Sequence, residues 1–420
     1  MSTFITNLRQ EILAESIKGF KLDNDLRSLD RVYASGATEA VVFYSARILE
    51  VIMKDAHFRF FGNKINQRAR QPNLADMVTD LFNYNLLSQS GFYWAKGLRL
   101  LGNEVRHFLR RIRREEADFV LIFLEFIMSW YFCEFPLGKR QTTIFKGQNA
   151  LVRPASNLLL ELAWSLDSSR LNPVKLKVVF GAREPEYLKA FSQNVTFPLL
   201  LIEIFISLGD HASAERLVSA LDASSYAPKG ALKDRFLQLK GLLFSRTGRL
   251  DEALQVLEAD FMRQKNDRPD WVDDETVGIL AGVYKRIWNM KQAESFLAKS
   301  HETYLWGWHN KGNGNTYLGI NAATTALWLN KRAEAQAIGR EVKGILEKRR
   351  GMVQQKTESR YDLNYWDMVT LAEANLLTNN REKAQELYEL AFSRYAHETD
   401  SIKITRDQQV QLIEKLKPRS

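Results

Sequence analysis

The sequence predicts an all-α protein, a helical bundle followed by an α-solenoid of stacked helix pairs. Three observations carry that expectation. Only 9 prolines and 22 glycines occur in 420 residues, so little interrupts long helices. The first third repeats apolar residues at helical spacing, with breakers falling only between the periodic stretches. The second half holds pairs of helix-contact positions twelve residues apart, five times over.

Composition narrows the function classes. A hydrophobic share of 45% and a charged share of 26% fit a soluble globular chain, long enough for two or three domains. The single cysteine, Cys133, excludes an internal disulfide and a cysteine-based zinc site. With 59 Lys+Arg against 50 Asp+Glu the net charge is +9, which permits a polyanionic partner without requiring one. Arg9, Glu11, Glu15 and Lys18 interrupt the first twenty residues, so no signal-peptide core is expected. The most apolar stretch, Phe119–Phe132, contains Glu125 and falls short of the roughly 20 residues a spanning helix needs. No membrane partner and a cytoplasmic location are therefore expected. His301 and His309 have no acidic neighbours at ligand spacing, so neither a metal nor a cofactor is expected.

Residues 1–132 read as the bundle. Ala40–Lys54, Leu74–Leu87 and Leu98–Arg114 are the periodic stretches, separated by Gly62-Asn63, Gln71-Pro72-Asn73 and Ser90-Gly91. On a helical wheel the third stretch sets Leu101, Val105, Phe108, Leu109 and Ile112 on one face. Arg99, Asn103, Arg106, His107, Arg110, Arg113 and Arg114 fall on the other. That ridge reads either as a solvated face, its arginine stems covering a neighbouring helix, or as a phosphate track. In the second reading Arg106, Arg110, Arg113 and Arg114 are the nucleic-acid contacts.

Ala46-Arg47-Ile48-Leu49-Glu50, Leu74 to Leu87, and Leu98-Arg99-Leu100-Leu101-Gly102-Asn103-Glu104-Val105-Arg106-His107 together resemble the DUF4145 family. That family is grouped with the HEPN-like helical bundles of prokaryotic defence and toxin systems, and the resemblance covers residues 29–132. Active relatives carry an Arg-x(4–6)-His motif at a dimer interface and promote metal-independent attack by the RNA 2′-hydroxyl. Here seven residues separate Arg99 from His107, and Leu100 follows the arginine. The resemblance implies a homodimerising bundle with Arg99, Asn103 and His107 as catalytic candidates. An imidazole can move a proton at neutral pH, and a guanidinium can stabilise charge on a phosphate. The residues themselves leave open a structural role, in which Asn103 and His107 hydrogen-bond between helices.

Residues 133–190 read as a helical connector without an assignable activity, with Ala155–Leu166 as one candidate helix. Residues 191–400 read as repeats of the tetratricopeptide kind. Such a repeat needs a small residue where its two helices approach and another twelve residues later. The pairs are Gly241/Ala253, Ala281/Ala293, Ala323/Ala335 and Ala372/Ala384, with an imperfect first copy at Ile202/Ala214. Turns are expected at Gly209-Asp210, Gly248, Asn289, Asn330 and Asn379-Asn380, and residues 401–420 read as a C-terminal tail.

Within this region Glu275–Arg286, Tyr317–Thr324 and Tyr365–Ala374 resemble the TRAF-binding region of MAP kinase kinase kinases. The resemblance implies a repeat scaffold that relays or restrains an effector; no kinase motif is present. Lys285, Arg286, Asn321 and Asp367, with Thr324, Thr370 and Glu373, either line a concave surface that holds a protein partner or form a polar network between repeats. Trp306 and Trp308 read as caps of the repeat core rather than a base-stacking platform. Two functions follow: a signalling or defence component whose bundle binds or cleaves RNA, and a non-catalytic adaptor that restrains a separate effector.

Overall fold

A computed structural model of the chain describes residues 22–62, 72–108, 111–135, 178, 180–182, 184–191, 196–223, 228, 230–267, 272–310, 314–357, 362–396 and 399–417. Among these residues every regular element is a helix, so the fold is all-α. There are two compact units: residues up to 200 with 356–361, and residues 201–355 with 362–420. The candidate helix Ala155–Leu166 lies outside the described residues.

Unit one contains α1 (Leu22–Ala34), α2 (Thr38–Phe61), α3 (Leu74–Asn83), α4 (Gln89–Phe108), α5 (Arg114–Ser129) and α6 (Glu184–Phe191). Helix α2 is central, packing against α1, α3, α4 and α5 and burying Val41, Ile48, Leu49, Ile52, Met53 and Phe60. Asn73 starts α3 through a reciprocal pair of 2.9 Å bonds with Asp76, which satisfies two backbone donors that a helix start leaves open. From Phe119 to Leu124 helix α5 is apolar on all sides because all sides are covered: Phe119, Val120, Leu121 and Phe123 are buried, and beyond them Phe126 stacks on Trp94 at 4.3 Å. It continues as one π-helical turn, Trp130–Glu134. No described helix is long and apolar enough to cross a membrane.

The helix expected over Leu98–Arg114 is broken, and this corrects the arginine ridge. Helix α4 ends at Phe108, residues 111–113 are not helical, and Arg114 opens α5. The reason is competition for the backbone of Ile112. Thr38 Oγ1 donates to its carbonyl at 2.6 Å, and its N–H donates to Glu39 Oε1 at 3.0 Å. Both polar groups are satisfied by the start of α2 rather than by a helical neighbour. Arg113 and Arg114 therefore leave the face that carries Arg99 and Arg106.

Unit two carries the repeats, apart from residues 196–200 at the start of α7 and Lys356 at the end of α14, which are counted with unit one. The pairs are α7 (Thr196–Ser207) with α8 (His211–Asp222), α9 (Gly230–Arg246) with α10 (Leu250–Asp267), α11 (Asp274–Lys291) with α12 (Glu294–Asn310), α13 (Thr316–Trp328) with α14 (Arg332–Lys356), and α15 (Tyr365–Leu377) with α16 (Arg381–Arg394). In each pair one residue turns left-handed, at Gly209, Gly248, Gln292, Asn330 and Asn379, and the second helix starts two residues later. Asp210, Asp273, Asn315, Asn364 and Asn380 cap helix starts with their side chains. A Cβ on Gly241 would lie 2.5 Å from Leu257 Cγ, which is why that position is small. Ala214, Ala253, Ala281, Ala323, Ala335, Ala372 and Ala384 are all buried, and Trp308 is sealed in the core.

Two expectations shift. The third turn falls at Gln292 rather than Asn289, so Ala293 precedes its helix and is only half-buried. Ser300 instead meets Ala281, donating to its carbonyl at 2.8 Å. Residues 399–415, read mostly as tail, form a further helix, α17 (Thr399–Lys415), which packs against α15 and α13.

Candidate functional site

The bundle holds the first set of candidates on α4. Arg99 and Asn103 are half-buried there, one turn apart. His107 is in the same helix, its side chain outside the described residues, as is all of Arg110. Arg106 lies 3.9 Å from Glu50 Oε2, with its guanidinium 5.5 Å from the centre of the Phe43 ring. Arg113 supplies the residue before α5, where its N–H donates to Glu116 Oε2 at 2.9 Å. Arg114 covers the Tyr33 ring at 3.8 Å, donates to the Tyr33 carbonyl at 3.1 Å, and sits 3.5 Å from Asp118. The described arginines of the expected phosphate track are thus dispersed over two helices, and Arg106 and Arg114 already have carboxylate or ring partners.

The second set lies on the first helices of the repeats, here called A helices. Arg235 is buried and joins three of them: Nη2 is 2.8 Å from Glu203 on α7, and Nη1 is 2.5 Å from Glu275 on α11. The two carboxylates outweigh the cost of burial and hold its guanidinium well above the ordinary value. One turn on, Gln238 donates to Asp273 at 3.1 Å and Thr276 at 3.0 Å. This part of the face is closed by its own charges.

Further along, the balance changes. Arg286 on α11 donates to the Ser245 carbonyl at 2.6 Å, beside Arg246 at the end of α9. Neither arginine has a carboxylate partner among the described residues. Burial first, then the Arg246 charge, holds the Arg286 guanidinium below its ordinary value. Gly278 and Gly282 leave α11 bare here: a Cβ on Gly278 would lie 2.9 Å from the Tyr317 ring, and one on Gly282 3.4 Å from the Tyr304 hydroxyl. Tyr317 is 51% exposed, and Trp366, the second residue of α15 as Tyr317 is of α13, is 50% exposed. Two guanidiniums without a carboxylate partner among the described residues and two half-exposed aromatic rings therefore stand on A helices.

Lys285 and Asn321 do come together. Lys285 Nζ donates to Asn321 Oδ1 at 3.4 Å and to Gln408 Oε1 at 3.2 Å, and lies 4.8 Å from the centre of the Trp328 ring. Gln408 Nε2 donates to Glu373 at 2.8 Å. Burial lowers Lys285 to about 8, against the pull of the Glu373 carboxylate. Burial raises Glu373 to about 7, against Lys285 and Gln408. Asp367 stands apart: its carboxylate pairs with Arg349 of α14, and its N–H donates to Asn364 Oδ1, the cap of α15, at 2.9 Å. Among the described residues no three His, Cys, Asp or Glu side chains gather as a metal site requires.

Sequence reading missed Gln408, Arg246, Tyr317 and the Arg235 bridge. Gln408 was hidden because α17 inverts the usual pattern: Ile404 and Val410 are exposed, while Thr405 is buried with Leu412 and Leu416. The others could have been found by counting from the small residues. Arg246 and Arg286 stand five after Gly241 and Ala281, and Tyr317 and Trp366 six before Ala323 and Ala372.

Residues 210–326 match the family model described as Tetratricopeptide Repeats-Sensor, so this region is a tetratricopeptide-like repeat array. Solved structures similar to the chain include a thermophilic TPR protein from Thermus thermophilus, at TM-score 0.36 and 14% identity over 53% of this chain and 98% of that one. Another is BtubC (BKLC) from P. vanneervenii, at TM-score 0.32 and 17% identity over 58% of this chain and 92% of that one. No curated protein matches the chain.

Proposed function

We propose that the repeats of unit two are a non-catalytic protein-binding scaffold, receiving an acidic partner segment along the A helices at Arg246, Arg286, Tyr317 and Trp366. The observation that carries this reading is the pair Arg246 and Arg286, one from each of two successive A helices, with no carboxylate beside them among the described residues. Arg286 is half-buried and Arg246 exposed. The half-buried guanidinium without a counter-charge is costly, an incoming carboxylate or phosphorylated side chain removes that cost, and Arg246 adds a second, accessible charge beside it. The exposed rings add apolar contact beside the charges. The sensor in the matched family's description agrees with a scaffold that reports occupancy to an effector.

A labelled ten-residue peptide of alternating glutamate and leucine tests the charge requirement. Salt-sensitive binding that falls at least about tenfold in the Arg246→Glu/Arg286→Glu double variant supports the reading; equal binding to both proteins removes it.

Metal-independent RNA cleavage at Arg99, Asn103 and His107 is the second reading. It draws on the resemblance of unit one and on Arg99 and Asn103 sharing α4 one turn apart. Degradation of RNA that persists in EDTA and is lost in His107→Ala supports it, and intact RNA after incubation with the wild type ends it.

A further inference from the structure

Helix α17 lies on the same A-helix side that the proposed scaffold uses, and its contacts run back through three repeats. Thr405 Oγ1 is 2.8 Å from the Tyr365 hydroxyl at the start of α15. Gln408 bridges Glu373 on α15 and Lys285 on α11. Lys415 donates to Asn330, in the turn after α13, at 3.1 Å. Gln411, Glu414 and Lys415 form one wall of an open cleft of about 560 Å³ whose other wall includes Trp288 and Trp328. A helix that only extended the array would need α15 and α16 alone. This one reaches two repeats further.

Its attachment is thin for that reach. Among the described side chains of residues 399–417, only Thr405, Leu412 and Leu416 are fully buried, while Ile404 and Val410 face solvent at 44% and 55% exposure. The centre of its contact is polar, an amide inserted between an ammonium and a carboxylate. Such groups are readily rehydrated on separation, unlike the alanine-packed seams between the repeats, so α17 belongs to the low-stability end of the unit. Against its Gln408 lie Lys285 and Glu373, with Asn321 and Trp328 beside Lys285, residues of three A helices.

We propose that α17 is a removable intramolecular occupant of the A-helix face, and that the partner segment which replaces it is an amphipathic helix with an amide side chain followed by leucines four and eight residues later. That is the spacing of Gln408, Leu412 and Leu416, one face of a helix. The inference rests on the A helices being the docking face. It is separable from the acidic-segment reading because it uses Lys285 and Glu373 and not Arg246 and Arg286.

The test uses the full chain with Cys133→Ser and a labelled synthetic peptide of residues 399–417. Tethered α17 competes at millimolar effective concentration, so wild type binds the peptide weakly. Gln408→Ala removes both charge-assisted bonds of the tethered copy, to Lys285 and to Glu373, and should raise peptide affinity at least about tenfold, with amide exchange in α17 accelerated by a similar factor while α13 and α15 keep their rates. A Gln385→Cys/Gln409→Cys variant joined by a bis-maleimide holds α17 down, across a side-chain contact of 3.2 Å, and should abolish peptide binding. Failure of the acidic peptide to bind would leave both readouts, exchange of α17 and the response to the bridge, interpretable by themselves. Exchange of α17 at the rate of α15 in both wild type and Gln408→Ala, or peptide binding indifferent to the bridge, overturns the proposal and makes α17 a fixed end of the array.

Discussion

Gly102 of α4 crosses Ala46 of α2 so closely that a Cβ on the glycine would lie 2.5 Å from the Ala46 Cβ. Backbone meets methyl group with nothing between. This contact is a packing reason for a small residue at each place. Gly102→Val forces the two helices apart and should cost about 2 kcal/mol. Urea denaturation of the variant, followed by circular dichroism, measures it.

Arg235 holds Glu203 and Glu275 from neighbouring repeats. Arg235→Met removes the charge but keeps the volume, leaving two carboxylates facing each other without compensation. A loss of about 3 kcal/mol is expected, the cost of orphaning a buried ion-pair partner. Denaturation at high salt should recover part of the loss by screening the repulsion.

The Lys285–Glu373 pair makes stability depend on pH on both sides of neutrality. Glu373, raised from 4.5 to about 7, keeps a proton in the folded chain that the unfolded chain releases. Its contribution is complete below about pH 4.5 and is lost as the pH rises through about 7. Lys285, lowered from 10.5 to about 8, contributes fully above about pH 10.5 and loses that contribution as the pH falls through about 8. Glu373→Gln should flatten the acid-side slope and Lys285→Met the alkaline one, read by urea midpoints across the range. In Lys285→Met the Glu373 carboxyl should also titrate higher than in wild type, since the lysine charge is the main influence holding it down; carbon NMR of the carboxyl group reports this directly.

Gln292 sits at φ 52° between α11 and α12, where the other left-handed turns of the repeats use glycine or asparagine. Gln292→Gly should stabilise the chain by about 1 kcal/mol by relieving that conformation, and Gln292→Val should destabilise it by a similar amount. Melting temperatures of the two variants should therefore move in opposite directions.

How much of this was legible before the structure depends on the range of the interaction. Helices and turns are local, so Gly209, Gly248, Asn330 and Asn379 announced their turns by residue type. Gln292 did not, because its left-handed conformation is imposed by the packing of the helices it joins. Seven of the alanines at the counted positions are buried, since a close helix crossing excludes larger side chains wherever the repeat places it. The arginine ridge failed for the opposite reason. A helical wheel assumes an unbroken helix, and the break at Ile112 is made by Thr38 and Glu39, more than seventy residues earlier.

By itself, the sequence determined the helical class, the paired architecture and the small residues at its seams, all of which follow from periodicity and steric bulk along neighbouring turns. Tertiary structure alone decided which charges are neutralised. Arg235 is enclosed by carboxylates from two other repeats, Arg286 donates to a carbonyl with no carboxylate beside it among the described residues, and Lys285 reaches a glutamine 123 positions away. Electrostatic pairing depends on distance through space, and chain spacing does not encode it.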